Sequence, residues 1–538
     1  MERRRKFWGW GYEGEGPDDD QAAGIARTLE RRFGVSGLEI APAPRIEDVS
    51  LRAPRLAPPA SLAEFCSTSP RDRASHTYGK SFRDIVRGVR GEFTHPPDFV
   101  AFPRDEPEVV AVLDWCSGVG AAAIPYGGGS SVVGGVEPDV ADAYRGAVSI
   151  DLGRLDRVLE IDRESRAARI QAGILGPALE AALRPQGLTL RHFPQSFELS
   201  TLGGWIATRS GGHYATLYTH IDDFVEALRI VTPTGVMESR RLPGSGAGPS
   251  PDRLVIGSEG ILGIIVEAWM RLQDRPTVRA SASVRFAGDD GFLGGARAVR
   301  ALAQSGLHPT NCRLLDPGEA AISGAGSGDA AILVVGFESA DHPLDAQMGR
   351  ALECCRDAGG EVPEGAGRTR TDASATREGA AGVWRRAFLG APYLRDVLVR
   401  AAVISETFET AITWDRFEVF HEAVTNAARD AVKRVCATGS VACRFTHVYP
   451  DGPAPYYTVI APGRRGSELE QWGEIKAAAS EAILRAGGTI THHHSVGRDH
   501  RRWYDRQRPE GFARALRAAK AELDPAGILN PGVLIDPA

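Results

Sequence analysis

Residues 96–131 read PPDFVAFPRDEPEVVAVLDWCSGVGAAAIPYGGGSS, and the order of elements in this stretch sets the fold class. Phe99–Phe102 has the composition of a short strand. From Glu106 to about Ser117 the apolar residues recur at helical spacing, with Pro107 in the first turn, where a missing N–H costs nothing. Ala121–Pro125 is an unbroken apolar run and reads as a buried strand. It leads directly into Pro125-Tyr126-Gly127-Gly128-Gly129-Ser130-Ser131. Three glycines allow close backbone approach to a ligand and turn successive N–H groups inward, and two serines add hydroxyl donors. That composition suits a pyrophosphate. It matches neither GxGxxG nor GxxxxGK[ST], so the fold is neither a Rossmann nor a P-loop unit.

Two further segments have the same character. Gln195-Ser196-Phe197-Glu198-Leu199-Ser200-Thr201-Leu202-Gly203-Gly204-Trp205-Ile206-Ala207-Thr208-Arg209-Ser210-Gly211-Gly212 concentrates hydroxyls and glycines around a few apolar residues. Glu259-Gly260-Ile261-Leu262-Gly263-Ile264-Ile265 runs from a glycine turn into a strand. A single glycine cluster is often only a tight turn. Three within about 140 residues can wrap a long ligand that carries phosphates at one end.

Around these loops the chain alternates short strands and helices, giving an α+β fold. Residues 1–95 read as a helical, loop-rich extension with Pro-rich connections. Residues 96–275 carry the glycine loops. Residues 276–505 mix strands (ASVRFAG, AAILVVGFES, YYTVIAP) with long amphipathic helices, as a cap and substrate domain. Residues 506–538 form a helix stopped by Pro525 and a tail returning to the first domain. TPTG, at 232–235, is a hairpin turn.

The chain of 538 residues has a formal net charge of -6 and no basic surplus for neutralising phosphates, which excludes nucleic acid as the main partner. No apolar run approaches the ~18 residues of a membrane span, and the basic start MERRRKFWGWG lacks the apolar core of a secretory signal. The seven cysteines contain no CxxC pair, so they read as reduced cytosolic thiols rather than a disulfide or metal framework. Arginine greatly outnumbers the five lysines, and with the Ala and Gly excess this is the pattern of a GC-rich bacterial coding sequence.

Several motifs resemble one family. PYGGGSSV, the Ser/Thr/Gly segment and GSEGILGIIVEA are similar to the FAD-binding loops of the vanillyl-alcohol oxidase, or PCMH-type, flavoproteins. SFRDI, STLGGWIATR, SETFET-x3-WDR, HVYPDG-x3-YY and above all Thr491-His492-His493-His494-Ser495-Val496-Gly497 resemble the alkyldihydroxyacetone-phosphate synthase family within it, with a weaker echo in KFWGWGYEG. The resemblance implies a two-part FAD-binding domain and a cap domain. It places FAD contacts on Pro125–Ser131, Gln195–Thr201, Thr208-Arg209-Ser210-Gly211 and Glu259–Ile265. It puts the catalytic tyrosine at Tyr456, a histidine before the second loop at His192, and the triple histidine at His492, His493 and His494. The substrate phosphate falls to Arg395, and a second essential arginine is Arg313. The sequence departs from the family in GGGSS, in TRSG, in Ser495 where the family has glycine, and in the tail LNPGVL, which is closer to relatives that oxidise 2-hydroxy acids.

The implied reaction exchanges the acyl group of acyl-dihydroxyacetone phosphate for a fatty alcohol, with the substrate's C1 held on flavin N5 and no net redox change. The alternative is an FAD-dependent 2-hydroxy-acid dehydrogenase or oxidase. Tyr456 serves as acid and base if a neighbouring His or Arg lowers its pKa from ~10. Three histidines titrating near 6.5 can move protons or stabilise an oxyanion, and the arginines offer fork donors to phosphate. Without the resemblance, His192 reads as structural, Tyr456 as a strand aromatic, and Arg395 and Arg313 as surface or ion-pair arginines. A metal at His492–His494 is disfavoured, because strand residues alternate faces and only His492 and His494 would point together. PYGGGSSVVGG carries no His or Cys, so FAD is expected to bind non-covalently. Peripheral membrane contact and a homodimer are implied by the family alone, whereas the cysteine usage and the absence of a secretory signal or a peroxisomal tripeptide point to a cytoplasmic location.

Overall fold

The computed structural model describes residues 3–371 and 379–536. The stretch that opened the sequence reading forms the strand Phe99–Ala101, the helix Glu106–Val119 and the strand Ala122–Tyr126. Asp105 caps the helix by accepting from the Glu108 N–H, and Gly120 ends it at φ +71°, a conformation that suits glycine. The helix is the crossover that parallel pairing requires. Strands Phe99–Ala101 and Ala122–Tyr126 flank Ala147–Asp151, both parallel to it, in a four-stranded sheet that Cys66–Ser67 completes on the other edge.

A second sheet is antiparallel, in the order Val158–Asp162, Ala167–Gln171, Ile264–Arg271, Val225–Thr232, Gly235–Glu238. Its last hairpin turns at 232–235, where the TPTG signal placed it. The third sheet has six antiparallel strands, in the order Val278–Ala287, Ala330–Ser339, Asn311–Leu315, Ser440–Val448, Pro453–Pro462, Val403–Glu409. Helices Phe417–Cys436 and Glu468–Arg485 pack on one another and on this sheet. Phe417, Phe420, Val424 and Ala428 lie along the buried stripe of the first at helical spacing. Mixed α and β structure with these three sheets is the α+β fold expected from the sequence.

The N-terminal residues are part of the core. Phe7, Trp8, Trp10 and Tyr12 are buried in the same apolar cluster as Tyr78, Phe82 and Phe93. At the other end, helix Glu510–Leu523 stops before Pro525, and the tail then lies along strand Ala122–Tyr126. There the Ala123 N–H donates to Ile528 O at 2.8 Å and the Asn530 N–H to Ala123 O at 2.9 Å. Asn530 Nδ2 also donates to Gly135 O and Glu259 O. The LNPGVL departure therefore serves an anchor between loops. None of the described residues forms a helix long and apolar enough to cross a membrane.

The tail is held by one buried lysine. Lys520 Nζ donates to Asp524 Oδ2 at 2.8 Å, to Leu529 O at 2.9 Å and to Ile261 O at 3.0 Å, and both side chains are almost fully buried. Removing one member of such a pair leaves a buried charge uncompensated. Lys520→Ala is expected to destabilise the protein by about 3–5 kcal/mol, read by thermal or urea unfolding. An unchanged unfolding midpoint would refute this role.

Candidate active site

A cavity of about 520 Å³ runs between the first two glycine loops and the six-stranded sheet. Gly127, Gly128, Gly129, Ser130 and Ser131 form one wall, with Gln195, Ser196, Ser200, Thr201, Thr208, Ser210 and Gly211 beside them. Arg313, Arg395, Arg444, His447, Tyr456, His493 and His494 face them from the other domain. The volume is within the usual range for small-molecule and cofactor sites. The loops pack so closely that only glycine fits. A Cβ on Gly128 would stand 2.0 Å from Leu199 O, and Gly129 adopts φ +61°. Thr201 caps helix Leu202–Thr208, accepting from the Gly204 N–H, and so places a helix N-terminus at the cavity. This donor set of glycine backbone, hydroxyls and helix end fits the diphosphate of FAD.

Other residues expected at the cofactor lie outside this cavity, and two of them, Tyr126 and Leu199, line a second cavity that shares Gly127, Gly128 and Thr201 with it. Pro125, Tyr126, Phe197, Glu198, Leu199 and Arg209 do not line the first cavity, nor does any of Glu259, Gly260, Ile261, Leu262, Gly263, Ile264 and Ile265. The Tyr126 hydroxyl donates to Ser75 O, and Arg209 pairs with Asp222. Glu259 is buried and accepts the Val496 and Gly497 N–H groups, both at 2.8 Å. It thereby ties the third glycine loop to the residues just after the triple histidine. Burial pushes its carboxyl up to about 7, against those two N–H groups and the Ser495 hydroxyl. Ser495 adopts φ +72°, which explains why glycine is the residue expected there. His192 is buried behind the wall, its Nε2 2.7 Å from Ser210 Oγ.

The histidine segment is a turn rather than a strand, so the alternating-face argument fails. The cause is Glu409, at the end of strand Val403–Glu409. Its buried carboxylate accepts the N–H groups of His492, His493 and His494 and the Thr491 hydroxyl. With three successive amides gathered on one carboxylate, the rings are set around it, and Nδ1 of His493 and of His494 each stands 3.5 Å from a Glu409 oxygen. His492 Nδ1 lies 3.0 Å from His493 Nδ1, and His492 Nε2 lies 2.9 Å from the Tyr449 hydroxyl and 3.1 Å from His220 Nε2. A ring nitrogen from each of His447, His492 and His493 lies within 4.8 Å of the others. Strand register sets Glu409 opposite Tyr456, whose ring stacks near His493 and meets His494 edge-on.

Burial is the main force on these imidazoles. It lowers His493 and His494 to about 3, and lowers His447 and His492 well below the ordinary value. The histidines are therefore neutral near pH 7, each with one donor and one acceptor, rather than groups poised near 6.5.

The arginines differ in their partners. Arg444 is buried over the Tyr456 ring, its Cζ 3.8 Å from the centroid, and its Nη1 donates to both oxygens of Glu319 at 3.0 and 3.1 Å. Arg313 is 1% exposed and lies over the Trp384 ring, and its Nη2 donates to His213 O at 3.2 Å. Its Nε and Nη1 have no hydrogen-bond partner among the described residues. Burial, with repulsion from Arg444, lowers its pKa to about 9. Arg395 donates to Thr407 Oγ1 at 3.3 Å. Of the residues expected from the sequence, Tyr456, His493, His494, Arg313 and Arg395 all line the first cavity. Glu409, Arg444, His447 and Tyr449 are not among those expected, although three of them stand in the motifs SETFET and HVYPDG.

The depressed histidines give stability a definite pH dependence. The unfolded chain takes up protons below about 6.5 that His493 and His494 refuse until about 3, so their contribution is lost as pH falls through that window. His494→Gln is expected to flatten the fall in unfolding midpoint between pH 6.5 and 4 relative to wild type. Parallel curves would count against a buried neutral His494.

Comparison with known proteins places this geometry. Residues 97–239 match the family model described as FAD binding domain, and residues 275–534 match FAD linked oxidases, C-terminal domain. The chain is 31% identical over 519 residues to an alkyldihydroxyacetonephosphate synthase of Dictyostelium discoideum, covering 93% of this chain and 84% of that protein. It is 26% identical to the glycolate oxidase subunit GlcD of Bacillus subtilis, over 82% of this chain and 89% of that protein. A solved structure of an alkyldihydroxyacetonephosphate synthase superposes with a TM-score of 0.79 at 25% identity, covering 98% of each chain. FAD is thus the cofactor, and the chain belongs to the alkyldihydroxyacetonephosphate synthase family of FAD-linked enzymes.

Proposed function

We propose that the protein exchanges the acyl group of acyl-dihydroxyacetone phosphate for a fatty alcohol, using FAD held non-covalently along the glycine loops. The observation that carries this reading is the meeting, in one cavity, of unsatisfied guanidinium donors with a tyrosine and neutral histidines. A buried guanidinium without an anion is costly, so the free donors of Arg313 call for one. Arg395 lies on the same cavity, and among the described residues its side-chain hydrogen-bond partner is Thr407. Together they suit a phosphate monoester. Trp384, Phe388, Ala391, Leu394 and Leu398 add an apolar wall to the same cavity, suited to an alkyl chain.

Each polar residue then has a task. Arg313 and Arg395 bind and orient the headgroup. Tyr456 holds a proton at its hydroxyl and exchanges it with C1 and with the leaving carboxylate. His493 and His494, neutral, flank its ring, and ring-nitrogen contacts run on from His493 through His492 to Tyr449. Bound FAD supplies the reactive ring nitrogen, and exchange of acyl for alkoxy returns it to its starting redox level. The glycine loop offers no His or Cys side chain for a covalent link.

Two measurements test the reading. Purified holoenzyme incubated with acyl-dihydroxyacetone phosphate and a fatty alcohol should release fatty acid without any electron acceptor. Anaerobic bleaching of the flavin by a 2-hydroxy acid, with no exchange, would replace this reading with hydroxy-acid oxidation. Tyr456→Phe should lower exchange by about 10²–10⁴-fold, the usual contribution of a general acid–base group, while FAD stays bound. An unchanged rate would remove Tyr456 from the mechanism.

A further inference from the structure

The N-terminal segment Arg4–Glu13 is a tight hairpin with two close contacts on opposite sides of the cavity. The Lys6 N–H donates to Gly11 O at 3.0 Å and the Glu13 N–H to Arg4 O at 2.8 Å, closing the turn. On one side, Arg5 donates from Nη1 to Gly128 O at 2.5 Å and from Nη2 to Leu199 O at 3.1 Å. These carbonyls belong to the first and second glycine loops, so one guanidinium holds both. On the other side, Asp396 accepts the Trp10 N–H at 2.9 and 3.1 Å and Lys6 Nζ at 3.0 Å. Asp396 is 3% exposed and follows Arg395 on helix Gly379–Arg400.

The Trp8-Gly9-Trp10-Gly11 pattern follows from this fit. A Cβ on Gly9 would lie 2.6 Å from Asp396 Oδ2. A Cβ on Gly11, at φ +79°, would lie 2.1 Å from the Tyr393 ring. Trp8 and Trp10 are buried, and Trp10 forms part of the cavity wall. Its indole N–H has no hydrogen-bond partner among the described residues.

We propose that Arg5–Gly11 is a clasp that positions the two glycine loops against the helix bearing Arg395. The clasp lies outside the span that matches the FAD-binding domain. A carbonyl that accepts from Arg5 fixes the peptide plane of its loop, and with it the amide donors turned toward the cofactor. Asp396 anchors the far end, so cofactor loops and headgroup helix are set by one rigid segment. Arg5, Lys6 and Asp396 are positioning residues here, acting through the loops and through Arg395. The inference rests on the FAD and phosphate reading above.

The test is the rate of FAD release from holoenzyme, followed by flavin fluorescence after dilution. Wild type must first retain flavin; if it does not, the FAD reading itself fails. Arg5→Ala is expected to release FAD about tenfold faster, as befits the loss of charge-assisted hydrogen bonds. Arg5→Lys, which keeps the charge and reaches one carbonyl, should fall between. Asp396→Asn, nearly isosteric, should also speed release and raise the KM for the phosphate ester more than it lowers kcat. Because both residues belong to one clasp, the double variant should release FAD no faster than the faster single variant. Circular dichroism and apoprotein melting establish that each variant folds. Release unchanged in the folded single variants, or multiplicative effects in the double variant, would overturn the clasp.

Discussion

One buried carboxylate shapes the centre of this protein. Glu409 is 2% exposed and has no lysine or arginine among its hydrogen-bond partners; its acceptors are filled by three successive backbone N–H groups and one hydroxyl. A carboxylate buried in this way needs such donors, and amides to an ionised acceptor make strong, short bonds. Gathering the amides sets His492, His493 and His494 around the carboxylate, with Nδ1 of His493 and of His494 each 3.5 Å from one of its oxygens. Glu409 also ends the strand that pairs with Pro453–Pro462, where it stands opposite Tyr456. A single side chain therefore fixes the histidine turn and the tyrosine in one frame. The same enclosure that demands the donors keeps the imidazoles neutral, each with one donor and one acceptor nitrogen.

The glycine loops obey the opposite constraint, since they are held by removal of side chains. Gly128 passes within contact of Leu199 O, and Thr201 Oγ1 fills the space where a Gly127 Cβ would be. The loops brace one another through backbone, which leaves their amides free on the cavity side. They then need support from behind, and Arg5 and the Asn530 side chain provide it at opposite ends of the chain.

Much of this was legible in the sequence because it depends on local pattern. The strand, helix, strand and glycine loop of 96–131 follow from apolar spacing, a capping Asp105 and Gly120. The helices Phe417–Cys436 and Glu468–Arg485 follow from their apolar stripes. Tyr456, His493, His494, Arg313 and Arg395 were singled out through family motifs, and they converge. The histidine turn was misread as a strand because its shape is set by a carboxylate 83 residues away in sequence, which local pattern does not contain. Arg5 and Asp396 carried no local signal either, since their partners are carbonyls and amides far along the chain. The resemblance places the third glycine loop at the cofactor, and the long-range role of its Glu259, which holds the Val496 and Gly497 amides, has no local signal.

The two buried arginines show where stability yields to binding. Arg444 is satisfied by both oxygens of Glu319, and its charge is held by that pair. Arg313, equally buried, has aromatic faces and the carbonyl and ring nitrogen of His213 but no carboxylate among the described residues, and its pKa falls to about 9. Selection for stability alone would give Arg313 a carboxylate, as it did for Arg444, or replace it with an apolar side chain. A guanidinium left with free donors on the same cavity as Tyr456 is stabilised only when an anion arrives. An anion bound there would gain most where the protein without it is least satisfied.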